Sequence, residues 1–353
     1  MKQHFWKGKK VLITGHTGFK GSWLSLLLSY LGSEVIGYSL KPPSSPSLYE
    51  VTRLDQLINS IDGDVRNYDY LKEVIEKTAP DIVFHMAAQS LVRPSYQDPI
   101  TTYSTNVMGT VNLLEAIRQT NKVKVVINVT SDKCYENKEW LWGYRENEPM
   151  GGYDPYSNSK GCAELVTSAF RNSFFNSSNS VALASVRAGN VIGGGDWAKD
   201  RLIPDIIRAL TKNEPIIIRN PQSIRPWQHV LEPLNGYLAL AENLWEKGQE
   251  FAEGWNFGPI DEDAKTVGWI VDYLTQSWSP QGNWQLDSQV QPHEAHYLKL
   301  DCSKARQRLN WEPLINLEQS LKWIVFWYEQ FYLGKDPRKF TLEQIQDFCQ
   351  LAN

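Results

Sequence analysis

Residues 9–31 constrain the fold more than any other stretch. Lys9-Lys10-Val11-Leu12-Ile13-Thr14 is a short apolar run that stops at Gly15-His16-Thr17-Gly18-Phe19-Lys20-Gly21. Trp23, Leu24, Leu26, Leu27, Leu28 and Leu31 then fall at spacings that place them on the buried side of a helix. Strand, glycine turn and helix in this order open a dinucleotide-binding unit. Glycines let the backbone turn tightly and approach a pyrophosphate, which the amides at the helix N-terminus hold. The spacing is Gly-x-x-Gly-x-x-Gly rather than the commoner Gly-x-Gly-x-x-Gly, so the position directly after the first strand carries the assignment. Gly15, Thr17, Gly18, Phe19 and Gly21 are therefore expected at a cofactor.

The alternation continues downstream. Residues 34–39 read as a second strand, 58–61 as a third followed by the turn Asp64-Val65-Arg66, and 68–78 as a helix. Residues 81–88 read as a fourth strand that ends in small residues, Ala87 and Ala88, leaving room for a flat cofactor. Long helices over 101–120 and 156–176 flank a strand at 123–129, and a further strand covers 181–186. Strands alternating with helices predict an α/β chain with a doubly wound parallel Rossmann sheet, whose ligands sit at the carboxyl ends of the strands. His85, in an apolar strand, reads as a packed core residue. After residue 188 the pattern breaks into short segments up to a Trp-rich amphipathic helix over 317–331, which predicts a smaller C-terminal α/β substrate domain. The expected division is 1–188 for the dinucleotide, with part of 228–258 packing back on it, and 189–353 for the substrate. A length of 353 residues suits about two domains. The one Ser/Asn-biased stretch, 172–180, reads as a loop.

A net charge of −4 supplies no basic footprint for nucleic acid, so an anionic ligand must be met by helix ends, glycine amides or individual arginines. Cys134, Cys162, Cys302 and Cys349 are unevenly spaced, with no Cys-x-x-Cys pair and no histidine cluster, so neither a disulfide framework nor a metal site is expected. No membrane span or signal segment stands out, and the expected compartment is the cytoplasm. At the end of the second strand, where an acidic residue commonly holds the adenosine ribose, stand Ser39, Leu40 and Lys41. Lys41 is either a solvated loop lysine or a contact to the ribose or a 2′-phosphate, which leaves the phosphate status of the cofactor open at this point.

The chemistry concentrates between residues 128 and 160. Asn128-Val129-Thr130-Ser131-Asp132-Lys133 ends a buried strand, and Tyr156-Ser157-Asn158-Ser159-Lys160 opens a helix. Tyr156 and Lys160 share one helical face about a turn apart. A nearby ammonium and a positively charged nicotinamide are expected to draw the phenol down from its ordinary value of about 10, making Tyr156 a base for a substrate hydroxyl.

Four features together resemble the extended short-chain dehydrogenase/reductase family: the Gly15/Gly18/Gly21 turn, Asp64-Val65, Asn106-Val107-Met108-Gly109-Thr110, and Tyr156 to Lys160 following Ser131. The resemblance implies NAD as cofactor, with Ser131 holding the reacting hydroxyl, Tyr156 as base and Lys160 on the nicotinamide ribose. Ser131-Asp132-Lys133-Cys134-Tyr135 is similar to the sugar-nucleotide 4,6-dehydratase branch, where an acid and a base follow the Ser or Thr. Lys133 departs from the branch members acting on dTDP-sugars, which have Glu there. That departure, with Gly194-Gly195-Asp196-Trp197, 225–230 and 293–301, implies CDP-glucose as substrate. Asp132 is then the acid and Lys133 the base, in its neutral form; the bland alternative is a turn ion pair between them. The resemblance further places Ser90 and Arg93 near the sugar, and Asn190, Arg201 and Arg225 on the diphosphate. Arg225 also reads as a surface loop residue, and His296 stands near a position where many relatives have a second arginine. A homodimer through the helices at Thr101 and Tyr156 is the implied assembly. The rivals are a different dehydratase, a nucleotide-sugar 4-epimerase, and a cofactor-binding sensor without turnover.

Overall fold

The computed structural model describes residues 2–177, 180–278, 283–287 and 297–352. His293 to His296, part of one resembling stretch, and two residues of the 172–180 loop lie outside them. Seven strands form one sheet: β1 (Lys10–Thr14), β2 (Glu34–Ser39), β3 (Asn59–Asp62), β4 (Ile82–His85), β5 (Val125–Val129), β6 (Ala182–Arg187) and β7 (Gly254–Asn256). The order is β7-β6-β5-β4-β1-β2-β3 and every neighbouring pair is parallel. The expected parallel, doubly wound sheet is thus present. Its central strands are mostly apolar because both faces are covered. Val11 and Ile13 of β1, with Val125, Ile127 and Val129 of β5, join the core on one face. Leu12 and Val126 between them point into the core on the other, the period-two partition that a strand imposes.

Some of the helices start where the sequence supplies a side-chain cap. Helix α1 is Phe19–Tyr30 and α2 is Tyr68–Thr78, whose N-cap Asn67 accepts from the Tyr70 amide. The expected continuous helix over 101–120 is divided: Pro99–Tyr103, a stretch of wider π-type turns at Ser104–Met108, then α3 (Gly109–Thr120). The wide turns carry Asn106, whose amide oxygen accepts from the Gln89 amide at 2.8 Å and whose nitrogen donates to the Gln89 carbonyl and to Ser159 Oγ. A turn of this kind answers to long-range partners, which apolar spacing does not record. Helix α4 is Pro155–Ser173, begun by Asp154 at the N-cap and Pro155 in the first turn, and this start puts Tyr156 at the helix mouth. The fourth strand is shorter than expected, ending at His85, and residues 86–91 leave its carboxyl end irregularly.

Beyond β6 the chain makes short ribbons: Val191–Ile192 with Gln228–His229, Ile224–Pro226 with Ala264–Thr266, and Trp284–Leu286 with Ile216–Ile218. Helix α5 (Leu231–Lys247) then returns the chain to β7 at the edge of the main sheet. Helices α6 (Leu317–Tyr332) and α7 (Pro337–Leu351) close against the first half. Trp327 packs so tightly on Gly194 that a Cβ there would lie 2.1 Å from its ring, and Trp23 Nε1 donates to the Gly194 carbonyl at 3.0 Å. One apolar core therefore runs from Trp6 through Trp255 to Phe348. Among the described residues no helix is long and apolar enough to cross a membrane.

Candidate active site

The strand order reverses between β1 and β4, and the crevice at that switch point is lined by the glycine turn on one side and Ala87 on the other. Gly15 has φ +78°, and a Cβ on it would lie 2.7 Å from the Ala87 nitrogen. A Cβ on Gly21 would lie 2.2 Å from the Gly15 carbonyl oxygen, so neither position admits a side chain. Gly18 caps α1 without a side-chain acceptor, leaving the first helical amides open to an anion. This cradle fits the pyrophosphate of a dinucleotide. Thr17 Oγ1 donates to the Leu40 carbonyl at 2.9 Å and pairs with Ser39 Oγ at 2.8 Å, tying the glycine turn to the end of β2. Lys41 beyond it is exposed. Val65 is buried beneath Gly109, while the Asp64 carboxylate grips Arg66 at 2.6 Å, which pulls its pKa below the ordinary value. His85 is a buried core residue, its ring nitrogens at 2.7 Å from Thr14 Oγ1 and 3.2 Å from Thr110 Oγ1.

The β5 strand delivers Ser131, followed by a single 3-10 turn at Asp132–Cys134. Ser131 Oγ accepts from the Lys133 amide at 3.2 Å and donates to Asp132 Oδ1 at 3.0 Å. Asp132 is buried against Gly189, where a Cβ would lie 1.8 Å from its Oδ2. Among the described residues Asp132 and Lys133 form no ion pair with each other, contrary to the bland alternative. Tyr156 faces this turn and is only 8% exposed. In the protein by itself, burial pushes the phenol up to about 12, with a Ser131 hydrogen bond pulling the other way; the expected lowering concerns the site with its cofactor bound. The Lys160 ammonium donates to the Val129 carbonyl at 3.3 Å, and burial holds it down to about 8. Desolvation is the largest influence on the phenol in the protein by itself.

Opposite the turn lie the arginines. Arg201 pairs with the buried Asp196 at 2.9 Å and donates to Ser90 Oγ at 3.3 Å. Arg93 and Arg219 share Asp200, at 3.2 Å and 3.0 Å. The structure thus brings Ser90, Arg93 and Arg201 to one wall. Asn190 takes a left-handed backbone, φ 47°, and its carbonyl accepts from the Gln228 amide at 3.3 Å. Arg225 lies on the ribbon Ile224–Pro226, paired across from Lys265, and its NH1 donates to the Ile224 carbonyl at 3.0 Å.

A family model described as GDP-mannose 4,6 dehydratase matches residues 12–324. The chain belongs to that family. It is 61% identical over 98% of both chains to a CDP-glucose 4,6-dehydratase of Salmonella typhimurium. Among solved structures, an epimerase of Methanothermobacter thermautotrophicus shares its fold with TM-score 0.80 at 22% identity, covering 96% of each chain. A dTDP-glucose 4,6-dehydratase of Bacillus anthracis in complex with NAD does so with TM-score 0.75 at 23% identity, covering 94% of this chain and 100% of that one.

Sequence reasoning passed over several groups in this family member's site. Lys20, inside the glycine turn, is close enough to Lys160 and Arg201 to feel both charges. Burial first, then those two cations, push its ammonium down to about 7, while Asp132 opposes them. The available signal was a lysine at the point where the apolar face of α1 begins. Asp196 entered only as part of a resembling stretch, without a role, and Asp200 and Arg219 carried no local signal, because their partners are distant in sequence or belong to the same irregular loop.

Proposed function

We propose that the protein converts CDP-D-glucose to CDP-4-dehydro-6-deoxy-D-glucose and water, on an NAD that is restored within each turnover. The observation that carries this reading is the 61% identity, over 98% of both chains, to the Salmonella protein of that activity. The glycine cradle at the switch point supports the cofactor.

NAD, held in this cradle, would supply the acceptor for the C4 hydride and its return to C6. Gly15, Thr17, Gly18, Phe19 and Gly21 hold its pyrophosphate, with Asp64, Val65, Ala87, Ala88 and, at the periphery, Lys41 along the rest of the cofactor. Tyr156 takes the proton from the C4 hydroxyl, whose oxygen Ser131 holds; Lys160 holds the nicotinamide ribose. A ketone at C4 acidifies the proton on C5, which neutral Lys133 removes while Asp132, protonated, gives its proton to the departing C6 hydroxyl. Asp132 hydrogen-bonded to Ser131 supports this division of labour, since one turn then presents both elimination groups beside the phenol. Ser90 and Arg93 face the sugar, and Asn190, Arg201 and Arg225 the diphosphate, where rigid guanidinium donors suit phosphate oxygens.

We assign 1–188, with part of 228–258, to the cofactor and 189–353 to the nucleotide. We also assign a homodimer or higher homo-oligomer to the faces of the short helix Pro99–Tyr103, the wide turns Ser104–Met108 and α4, which expose Ile100 at 81%, Met108 at 51% and Leu165 at 60%. The test of the function is purified protein given CDP-glucose with catalytic NAD. A 4-keto-6-deoxy sugar nucleotide is the expected product, with the highest kcat/KM for CDP-glucose among CDP-glucose, dTDP-glucose, UDP-glucose and GDP-mannose. Preference for dTDP-glucose or GDP-mannose would remove the CDP assignment, and an epimerised product would remove the dehydratase.

A further inference from the structure

Beneath the site lies an ion pair that the proposed chemistry does not use. Glu164, one helical turn past Lys160 on α4, and Arg187, at the end of β6, meet at 2.8 Å with side chains 4% and 5% exposed. The carboxylate is saturated. Its Oε1 accepts from Thr130 Oγ1 at 2.5 Å and Arg187 Nε at 2.9 Å, and its Oε2 from Ser185 Oγ at 2.6 Å and Arg187 NH2. The remaining guanidinium nitrogen, NH1, donates to the Tyr135 hydroxyl at 2.5 Å and the Glu146 carbonyl at 3.0 Å. The Tyr135 hydroxyl in turn donates to Asn256 Oδ1 of β7 at 2.8 Å.

Thr130 directly precedes Ser131, and Tyr135 directly follows Cys134. Between these two anchors the side chains of Ser131 and Asp132 bond to each other and to the Lys133 amide, Ser131 also meets Tyr156, Cys134 N closes the turn onto the Ser131 carbonyl at 3.2 Å, and the Cys134 carbonyl accepts from the Gly151 amide at 2.8 Å. The side-chain ties to the buried pair are made at the two ends of the turn. We infer that the Glu164–Arg187 pair is a positioning unit that clamps both ends of the 131–134 turn, so that Ser131, Asp132 and Lys133 meet the sugar in one geometry. A fully buried pair is a weak source of net stability, because desolving two charges cancels most of their attraction. Its hydrogen bonds do impose direction, and a reacting group displaced by about 1 Å loses on the order of a hundredfold in rate. The inference rests on the proposed roles of Ser131, Asp132 and Lys133.

The experiment leaves the ion pair intact and cuts its two ties. Thr130→Val and Tyr135→Phe, in the NAD-loaded full chain, are measured for kcat and KM with CDP-glucose and for amide hydrogen exchange over 131–135, with Thr130→Ser as the conservative rescue. The expected result is a kcat loss of about tenfold to a hundredfold in each cut variant, KM within about threefold of the parent, faster exchange confined to 131–135, and recovery in Thr130→Ser. Wild-type kcat in both variants with unchanged exchange overturns the clamp, as does a loss that falls on KM alone or goes unrescued by serine. Wild-type protein that makes no product from CDP-glucose overturns the substrate reading instead, and the exchange comparison then decides the clamp by itself.

Discussion

Replacing Tyr156 with Phe tests the oxidation step, and the structure sets how large the effect is. The protein by itself holds the phenol at about 12, because the ring is 8% exposed and the phenolate is poorly solvated. At about pH 8 only on the order of one molecule in ten thousand is then ionised. A positive ring bound beside the phenol would favour its ionised form, by about 4 kcal/mol were the separation about 4 Å at an effective dielectric near 20. The ternary complex is therefore expected to have a lower apparent pKa than the protein alone. Below that value, the oxidation rate of the wild type rises nearly tenfold per pH unit, and the rise is read below about 8, where Lys160 keeps its proton. Stopped-flow measurement of reduced nicotinamide after mixing NAD-loaded protein with CDP-glucose follows this step. Tyr156→Phe should lower the rate by about 10²–10⁴ and flatten its pH dependence, with NAD affinity changed less than about threefold. A Phe variant that keeps both the pH rise and near-wild-type rates would refute the assignment of the base. A wild-type rate independent of pH over the same range would refute the Coulombic estimate.

Lys133→Met should still reduce the cofactor in a single turnover yet lose solvent-deuterium incorporation at C5; exchange at the normal rate would place the base elsewhere. Cofactor-stripped protein should be reactivated by NAD at lower concentration than by NADP, because the hydride returns within each turnover and no reducing NADPH pool is needed, with the exposed Lys41 the one feature that points the other way; tighter NADP binding with equal turnover would overturn this. Glu232 concerns stability: burial raises its carboxyl from 4.5 to about 8, with Oε1 accepting from the Leu314 and Ile315 amides and Oε2 buried without a partner. The folded chain therefore binds a proton that the unfolded chain releases, so stability present below pH 4.5 is lost as pH rises toward about 8. Glu232→Gln should remove a part of that slope worth on the order of a few kcal/mol, read as the difference in unfolding free energy between acidic and mildly alkaline buffer; an unchanged slope would exclude Glu232 as its source.

The sequence by itself determined what depends on local periodicity. The apolar run into Gly15, the helix face from Trp23 to Leu31 and the alternation that follows were legible because a strand repeats every two residues and a helix every 3.6. Tyr156 and Lys160 were legible as one face for the same reason, and Asp154-Pro155 marks where their helix begins. Tertiary structure alone decided what those residues face. It set the strand order that brings Ala87 to Gly15, and it turned Lys20 toward Lys160 and Arg201. It paired Arg93 with Asp200, and it joined Thr130, Tyr135, Glu164 and Arg187 in one buried network. The direction of the Tyr156 shift also lay beyond the sequence. Spacing tells which charge is near a phenol, whereas the cost of ionising it depends on how much water the rest of the fold has removed, and that is a property of every element packed around it.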